Sequence, residues 1–229
     1  MKTAIVTFVL SCLLSATYAQ TDCRPYLPTT QGTTWEITNY SAKGKETGRI
    51  TYELVDKVES GNEIIFSVKT VTYDKKDDEV FTSNYDAKCV DGKFEFDMAY
   101  KMDGSSMQAY QNMDFDMDAT EFEIPTMDAA VGTTLPDGTL KVNISGPIGM
   151  HMTVDVTDRK IEAKESVTTP AGTFDCLVIS QNVSTKMIVG IKGASKEWYA
   201  ENIGMVRSES YNKSGKLMGY SELTKLDIK

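Results

Sequence analysis

The chain has 229 residues, of which 41% are apolar and 25% are charged, and its formal net charge is −9. This apolar content is enough to bury a core, and the composition lacks the bias of a disordered chain. The acidic charge repels nucleic-acid phosphates, and no cluster of Lys and Arg with interleaved aromatic side chains offsets it, so a nucleic-acid partner is not expected.

The N-terminus has the order of a secretory signal peptide. A positive charge at Lys2 precedes an apolar run over residues 4–14, and small residues then lead to Ala19. This order of segments is typical of exported proteins, and the apolar run is too short to remain as a membrane-spanning helix. We expect cleavage after Ala19, which defines residues 1–19 as the signal peptide and residues 20–229 as one mature domain.

A lipid anchor is the alternative for this segment. Residues 9–12 loosely resemble a lipobox that would place a lipid on Cys12, but Leu10 fits that motif poorly. No second apolar stretch is long enough to span a membrane. We therefore expect an exported protein of the periplasm or the cell surface, with no transmembrane segment in the mature chain, either soluble or peripherally associated with a membrane.

The mature chain has the period-two alternation of β-strands. In residues 49–56, the apolar side chains of Ile50, Tyr52 and Leu54 alternate with polar ones, which is the pattern of a half-buried strand. By this criterion strands are predicted near residues 34–40, 47–59, 64–73, 79–89, 93–102, 113–118, 139–148, 150–165, 173–184, 186–192, 196–200, 205–212 and 216–226.

Turn signals separate these strands at short intervals, for example around Gly61, Gly92 and Gly138. Short connections produce antiparallel hairpins, because parallel strands need a long crossover. A long meander curls to protect its edges, so the sequence predicts a mainly β fold, with a single curved antiparallel sheet that forms a barrel or half-barrel. At most one or two short helices are expected, one of them over residues 105–112, and residues 104–138 are the place for a division into sub-lobes.

No metal site or cofactor is predicted. Met150 and Met152 flank His151, but alternation along a strand turns the histidine to the face opposite the two methionines. Residues 114–118 have the D-x-D-x-D start of a calcium loop, yet Ala119 replaces the glycine that an EF-hand requires. A looser calcium site that includes Glu121 or Glu123 is the alternative for this segment.

Catalysis is not expected either, and no catalytic residue is predicted. His151 is the single histidine, and the chain contains no nucleophile elbow, zinc-ligand spacing or phosphate-cradling loop. A pair of carboxylates could still hydrolyse an envelope polymer. With 33 acidic residues, however, some pair is inevitable, and its presence predicts nothing.

Large apolar side chains are numerous enough to line a cavity as well as to fill a core. The candidate ligand-lining residues are Trp35, Tyr52, Phe66, Phe94, Phe96, Met150, Met152 and Trp198. Ordinary core packing is the competing interpretation, because small barrels usually fill their interiors with side chains.

Three cysteines remain after cleavage, and an oxidising compartment favours one disulfide among them. The preferred pair is Cys23 with Cys89. Cys176 lies in an apolar strand, where a buried free thiol acts as a small hydrophobic side chain.

Four segments of the mature chain carry a family resemblance. They are YLP at 26–28, GTTWE at 32–36, TPAGTFDC at 169–176 and EWYAENIGMV at 197–206. The chain resembles the TapB-like family of exported Gram-negative proteins, whose domain has no known function. The resemblance implies a curved antiparallel sheet similar to the half-barrels of periplasmic lipoprotein carriers, and it brings no catalytic residues.

Two functions are consistent with these features. The first is a non-catalytic binding protein that holds an apolar ligand, a lipid or a peptide on its curved sheet, since methionine and aromatic side chains adapt to such ligands. The second is a structural or interaction module of the envelope, with a filled core and a protein partner on an edge strand or loop. The envelope-polymer hydrolase is the weaker alternative.

Overall fold

The computed structural model describes residues 23–98, 115–145, 149–187 and 190–229. Within these residues thirteen strands form one antiparallel sheet. The strands are β1 (Thr34–Ser41), β2 (Glu46–Ser60), β3 (Glu63–Asp74), β4 (Glu79–Val90), β5 (Lys93–Asp97), β6 (Phe115–Ala119), β7 (Glu121–Ile124), β8 (Gly138–Ile144), β9 (Met150–Thr169), β10 (Gly172–Lys186), β11 (Ile191–Ala200), β12 (Gly204–Asn212) and β13 (Leu217–Asp227).

The sheet is nearly closed into a barrel. Its strand order is β6-β8-β9-β10-β11-β12-β13-β1-β2-β3-β4-β5-β7, so its two outermost strands, β6 and β7, are neighbours in the chain. Thr120 joins them, and its backbone N–H donates to the carbonyl of Thr139 at 3.0 Å, while its own carbonyl accepts from Met98 at 3.2 Å. The predicted fold, a single curved antiparallel sheet that forms a barrel or half-barrel, is confirmed, and the sheet is nearly closed.

Two strand predictions need correction. Residues 186–192 and 196–200 are not separate strands: β10 continues to Lys186, and β11 then runs without a break through Gly193. Gly193 falls between the two predicted strands, but it lies inside β11. A Cβ atom at this position would lie 2.3 Å from the carbonyl oxygen of Tyr211 on β12, so only glycine fits between these two close backbones. The strand β7 was not predicted at all.

Two further predictions, the division into sub-lobes and the short helix, concern a part of the chain that the structure describes only in part. The described part of residues 104–138 contains β6 and β7, which belong to the same sheet as the other strands, and the connection from β7 to β8. The helix predicted over residues 105–112 and the signal peptide over residues 1–19 lie outside the described residues. Within the described ranges, no helix is long and apolar enough to cross a membrane.

The core lies on the inner face of the sheet. Alternate side chains of paired strands point inward, so that Leu54 of β2 lies opposite Val68 of β3, and both are fully buried. Burial of each such side chain contributes roughly 1.5–3 kcal/mol relative to its exposure. The strand alternation read from the sequence is therefore the pattern that encloses the interior.

The N-terminal segment, residues 23–28, closes one end of the barrel. A disulfide joins Cys23 to Cys89, with their Cα atoms 6.0 Å apart, which is the pairing preferred from the sequence. The Tyr26 hydroxyl donates to the carbonyl of Pro125 at 2.8 Å, and the Asn202 N–H donates to the carbonyl of Pro25 at 2.7 Å. We call this the closed end; the turns between β4 and β5 and between β11 and β12 lie there.

Candidate functional site

A cavity of about 530 Å³ lies inside the barrel. Its walls come from the N-terminal segment and from strands β1, β2, β4, β5 and β9 to β13. Pockets of roughly 300–1,000 Å³ accommodate small organic ligands in other proteins. The barrel therefore contains a space large enough for a ligand.

One wall of the cavity is aromatic. The rings of Trp35 and Tyr52, which are directly opposite each other on β1 and β2, stack with their centroids 5.2 Å apart and their planes 4° apart. Phe94 and Phe96 of β5 extend this wall. At the closed end, the Tyr26 ring packs against Phe94 with a centroid distance of 6.1 Å. Aromatic rings of this kind offer large apolar contact areas to a ligand.

The wall formed by β10 to β13 and the end of β1 carries small polar side chains, which we call the polar band. Strand register places Ser195 opposite Ser210 and Ser208 opposite Ser221. The complete band consists of Asn39, Gln181, Ser195, Ser208, Ser210 and Ser221, all of which line the cavity. These neutral groups can both donate and accept hydrogen bonds.

Two hydroxyls of the polar band remain available to a ligand. The Ser221 hydroxyl donates to Asn39 Oδ1 at 2.6 Å, and the Gln181 amide donates to Ser195 Oγ at 3.0 Å. Within the described part of the chain, the hydroxyls of Ser208 and Ser210 make no hydrogen bond to protein. The band thus combines polar groups that are hydrogen-bonded to one another with the two hydroxyls of Ser208 and Ser210, which can bond to a ligand.

A buried cation and a buried carboxylate lie beside the polar band. A bulge in β9, with Asp158 in a left-handed conformation, turns Arg159 inward, where it is only 2% exposed. The Arg159 guanidinium donates to Gln181 Oε1 at 3.4 Å and to the carbonyl of Pro136 at 2.8 Å. Burial lowers the pKa of Arg159, and the nearby Tyr199 and Glu197 oppose that effect.

Glu197 supplies the opposite charge. Its carboxylate accepts a hydrogen bond from the Tyr199 hydroxyl at 2.8 Å, and both side chains line the cavity. Because a buried charge is costly without compensation, the proximity of this carboxylate favours the charged form of Arg159. The two buried charges beside the polar band are thus opposite in sign.

A sequence model of the DUF3108-like family matches residues 30–223. The chain belongs to the DUF3108-like family. The narrower TapB-like resemblance stays a prediction, and no curated protein matches the chain.

Two solved structures are similar to this DUF3108-like chain. One, from Bacteroides fragilis, is described as a candidate exported protein with a YmcC-like fold; it is 27% identical, with a TM-score of 0.80 over 90% of this chain and 100% of that one. The other, from Parabacteroides distasonis, is described as a candidate lipoprotein; it is 26% identical, with a TM-score of 0.81 and the same coverage. Both descriptions agree with the export predicted from the sequence.

The DUF3108-like barrel brings four of the predicted lining residues together. Trp35, Tyr52, Phe94 and Phe96 line the cavity. Phe66 is fully buried in the core beside it but is not part of its wall.

Two of the remaining predicted lining residues lie elsewhere, and the side chain of Met150 is outside the described part of the structure. Trp198 is on the outer face, because its neighbours Glu197 and Tyr199 point into the cavity, and its indole N–H donates to Glu165 at 2.6 Å. Met152 packs against the core without reaching the cavity, and Met150 begins β9.

Sequence reasoning did not identify the polar band. The sequence feature that could have revealed the band is the pair Ser208 and Ser210. These residues occupy inward positions of β12, where a filled barrel would carry apolar side chains. Serine also favours turns and solvent-exposed faces, so the pair gave no clear indication of an interior.

A carboxyl pair with one raised pKa, Glu95 and Glu121, lies outside the cavity. Burial, and then the neighbouring Glu121, raise the pKa of Glu95. Lys88 contacts Glu121 at 2.8 Å, and Lys93 contacts Glu123 at 3.0 Å. Within the described residues, no three His, Cys, Asp or Glu side chains are arranged to hold a metal ion.

Proposed function

We propose that this protein is a non-catalytic binding protein of the cell envelope that holds an apolar or amphipathic ligand inside its barrel. The observation that carries the proposal is the interior cavity of about 530 Å³ with its aromatic wall. A barrel with a purely structural role would fill this space with side chains, as small barrels usually do.

The lining suits a ligand whose shape is not rigidly defined. Met98 and Met205 line the cavity together with the aromatic wall, and methionine adapts its conformation to irregular apolar surfaces. Among the described lining residues the one carboxylate is Glu197, which is already hydrogen-bonded to Tyr199. These features favour binding over catalysis.

The cavity reaches solvent at the end opposite the N-terminal segment. Thr47 and Ser210 line it and are exposed, whereas Tyr26 and Leu27 are buried at the closed end. A ligand would enter through this open end of the barrel, past the start of β2 and the end of β12, and leave by the same route. The exit of the ligand therefore requires no opening of the disulfide-linked end.

An envelope location supports this function. The Cys23–Cys89 disulfide suits an oxidising compartment, and the two similar structures are described as a candidate exported protein and a candidate lipoprotein. We place the protein in the periplasm or at the cell surface, where apolar molecules need a carrier to cross water.

Tryptophan fluorescence tests the proposal directly. The chain has two tryptophans; Trp35 lines the cavity and Trp198 does not. In a Trp198→Phe variant, the fluorescent apolar probe N-phenylnaphthylamine should quench Trp35 with a saturable dependence on concentration. Native mass spectrometry of protein purified gently from its envelope fraction should show a bound mass that organic solvent removes.

A cavity-filling variant provides the control. Ser208→Phe places a ring in the cavity and should abolish probe binding, whereas Ser184→Phe, beside the lining residue Val183 but not in the cavity wall, should leave it intact. If wild-type protein and Ser208→Phe bind the probe equally and the native mass is bare, the binding function is wrong. The interaction module would then become the working function.

A further inference from the structure

The two ends of the cavity differ in polarity along its length. On β12, Met205 lies at the closed end, and Ser208 and Ser210 follow it towards the open end. Phe94, Tyr26 and Leu27 surround the closed end. A ligand with one apolar and one polar end would therefore insert with its apolar end first.

The volume limits the size of the apolar part. A cavity of about 530 Å³ lies in the range of pockets that enclose one small organic ligand. Its size therefore favours an amphiphile with a single acyl chain over a lipid with two.

The charge around the cavity selects the head group. The two buried charges near the cavity, those of Arg159 and Glu197, are opposite in sign, and the polar band is neutral. The described lining residues include no Lys or Arg, and their one carboxylate, Glu197, is already hydrogen-bonded to Tyr199, so a charged head group at the open end would gain no ion pair from the cavity wall. The formal net charge of −9 further opposes an anionic head group.

We propose that the cavity binds an uncharged single-chain amphiphile, of the monoacylglycerol type, with its acyl chain against the aromatic wall and its hydroxyl groups on Ser208 and Ser210. This inference rests on the proposed binding function and specifies its ligand class. The free hydroxyls of Ser208 and Ser210 supply the donors and acceptors that such a head group needs.

Competition against N-phenylnaphthylamine tests the ligand class. Three competitors of equal chain length are compared below their micelle concentrations: a monoacylglycerol, the corresponding fatty acid and an alkyl trimethylammonium. The monoacylglycerol should displace the probe at concentrations at least tenfold lower than either charged competitor.

Removal of the two hydroxyls tests the role of the polar band. Ser208→Ala with Ser210→Ala should raise the Kd for monoacylglycerol about tenfold, the effect of losing two ordinary hydrogen bonds. The Kd for the probe itself, which has no hydroxyl head, should not change. Ser184→Ala, which lies outside the cavity wall, is the matched control and should bind monoacylglycerol like the wild type.

The outcomes separate this inference from the proposed function. If the probe binds in the cavity but all three competitors displace it equally, or the charged ones displace it better, the ligand class is wrong and the binding function stands. An unchanged monoacylglycerol Kd in the Ser208→Ala, Ser210→Ala variant also overturns the inference. If the probe does not bind at all, the proposed function itself fails.

Discussion

The guanidinium carbon of Arg159 lies 3.9 Å from the centroid of the Phe122 ring. On β8, Gly138 lies so close that an added Cβ would come within 1.9 Å of Cε1 of the same ring. Phe122 belongs to β7, which among the described strands pairs only with β5. Side-chain packing of Phe122 against Gly138 and Arg159 therefore closes the barrel between β7 and the β8–β9 pair, a junction that we call the seam.

Gly138→Ala should destabilise the seam. The added methyl group overlaps the Phe122 ring, and overpacking of this kind typically costs about 1–3 kcal/mol. Urea denaturation should show a lower free energy of unfolding for Gly138→Ala and little change for Gly149→Ala, where the nearest atom to an added Cβ is 3.8 Å away. The double variant Gly138→Ala, Phe122→Leu should recover part of the stability lost in Gly138→Ala. If it does not, the clash with the Phe122 ring is not what destabilises Gly138→Ala.

Arg159→Met should be more destabilising. The substitution keeps an unbranched apolar chain but removes the hydrogen bonds to Pro136 and Gln181 and leaves the Glu197 carboxylate without its compensating charge. Loss of one member of a buried charged network costs about 3 kcal/mol or more.

A double-mutant cycle isolates the charge effect. Glu197→Gln added to Arg159→Met should recover part of the loss, since it removes the carboxylate that the first change leaves uncompensated. Urea denaturation of the four proteins provides the measurement. Strictly additive changes in the free energy of unfolding would show that Arg159 and Glu197 do not interact.

Removal of the disulfide should loosen the closed end of the barrel. Cys23 and Cys89 are 66 residues apart in the sequence, and a crosslink across a loop of that size contributes about 2–4 kcal/mol. The Cys23→Ser, Cys89→Ser variant should have a lower Tm and weaker binding of N-phenylnaphthylamine, because residues 23–28 form part of the cavity wall. A reductant should lower the Tm of the wild type but not that of the variant.

Glu209 should make stability depend on pH in the acid range. Burial raises the pKa of its carboxyl, but hydrogen bonds from Tyr211 and Arg207 outweigh that effect and hold the pKa below the ordinary value of 4.5. The carboxylate therefore stabilises the fold above about pH 4.5, and this contribution is lost as the pH falls through the lower folded-state pKa.

Glu209→Gln should accordingly reduce the urea midpoint at pH 7 and change it much less at pH 3, where the wild-type carboxyl is losing its charge. Glu46→Gln, at an exposed position without an ion pair in the described part of the chain, is the control and should behave like the wild type. Equal losses for Glu209→Gln at both pH values would contradict the assignment.

The regular strands could be predicted from the sequence because each has enough residues to show alternation. β2 displays Ile50, Tyr52 and Leu54 over fifteen residues. By contrast, β7 has four residues and follows β6 after Thr120 alone. No turn signal separates these two strands, and their different partners depend on the closure of the whole sheet.

The cavity could be predicted only in part, for a reason visible at Trp198 and Tyr199. Adjacent aromatic residues of a strand point to opposite faces, and nothing in the local sequence determines which one faces inward. The bulge that turns Arg159 inward is a similar case, since it depends on the register between β9 and β10.

The pairing of β1 with β13 has a consequence for how the protein folds. Thr34 lies opposite Asp227, so the first strand finds one of its two partners only when almost the entire chain is present. Contacts this distant in sequence slow folding, because the loop between them must be closed before they contribute stability. In the export that we propose for this chain, β1 would wait with an unpaired edge until the C-terminal strand has crossed the membrane, and in that interval the chain would be most exposed to aggregation and proteolysis.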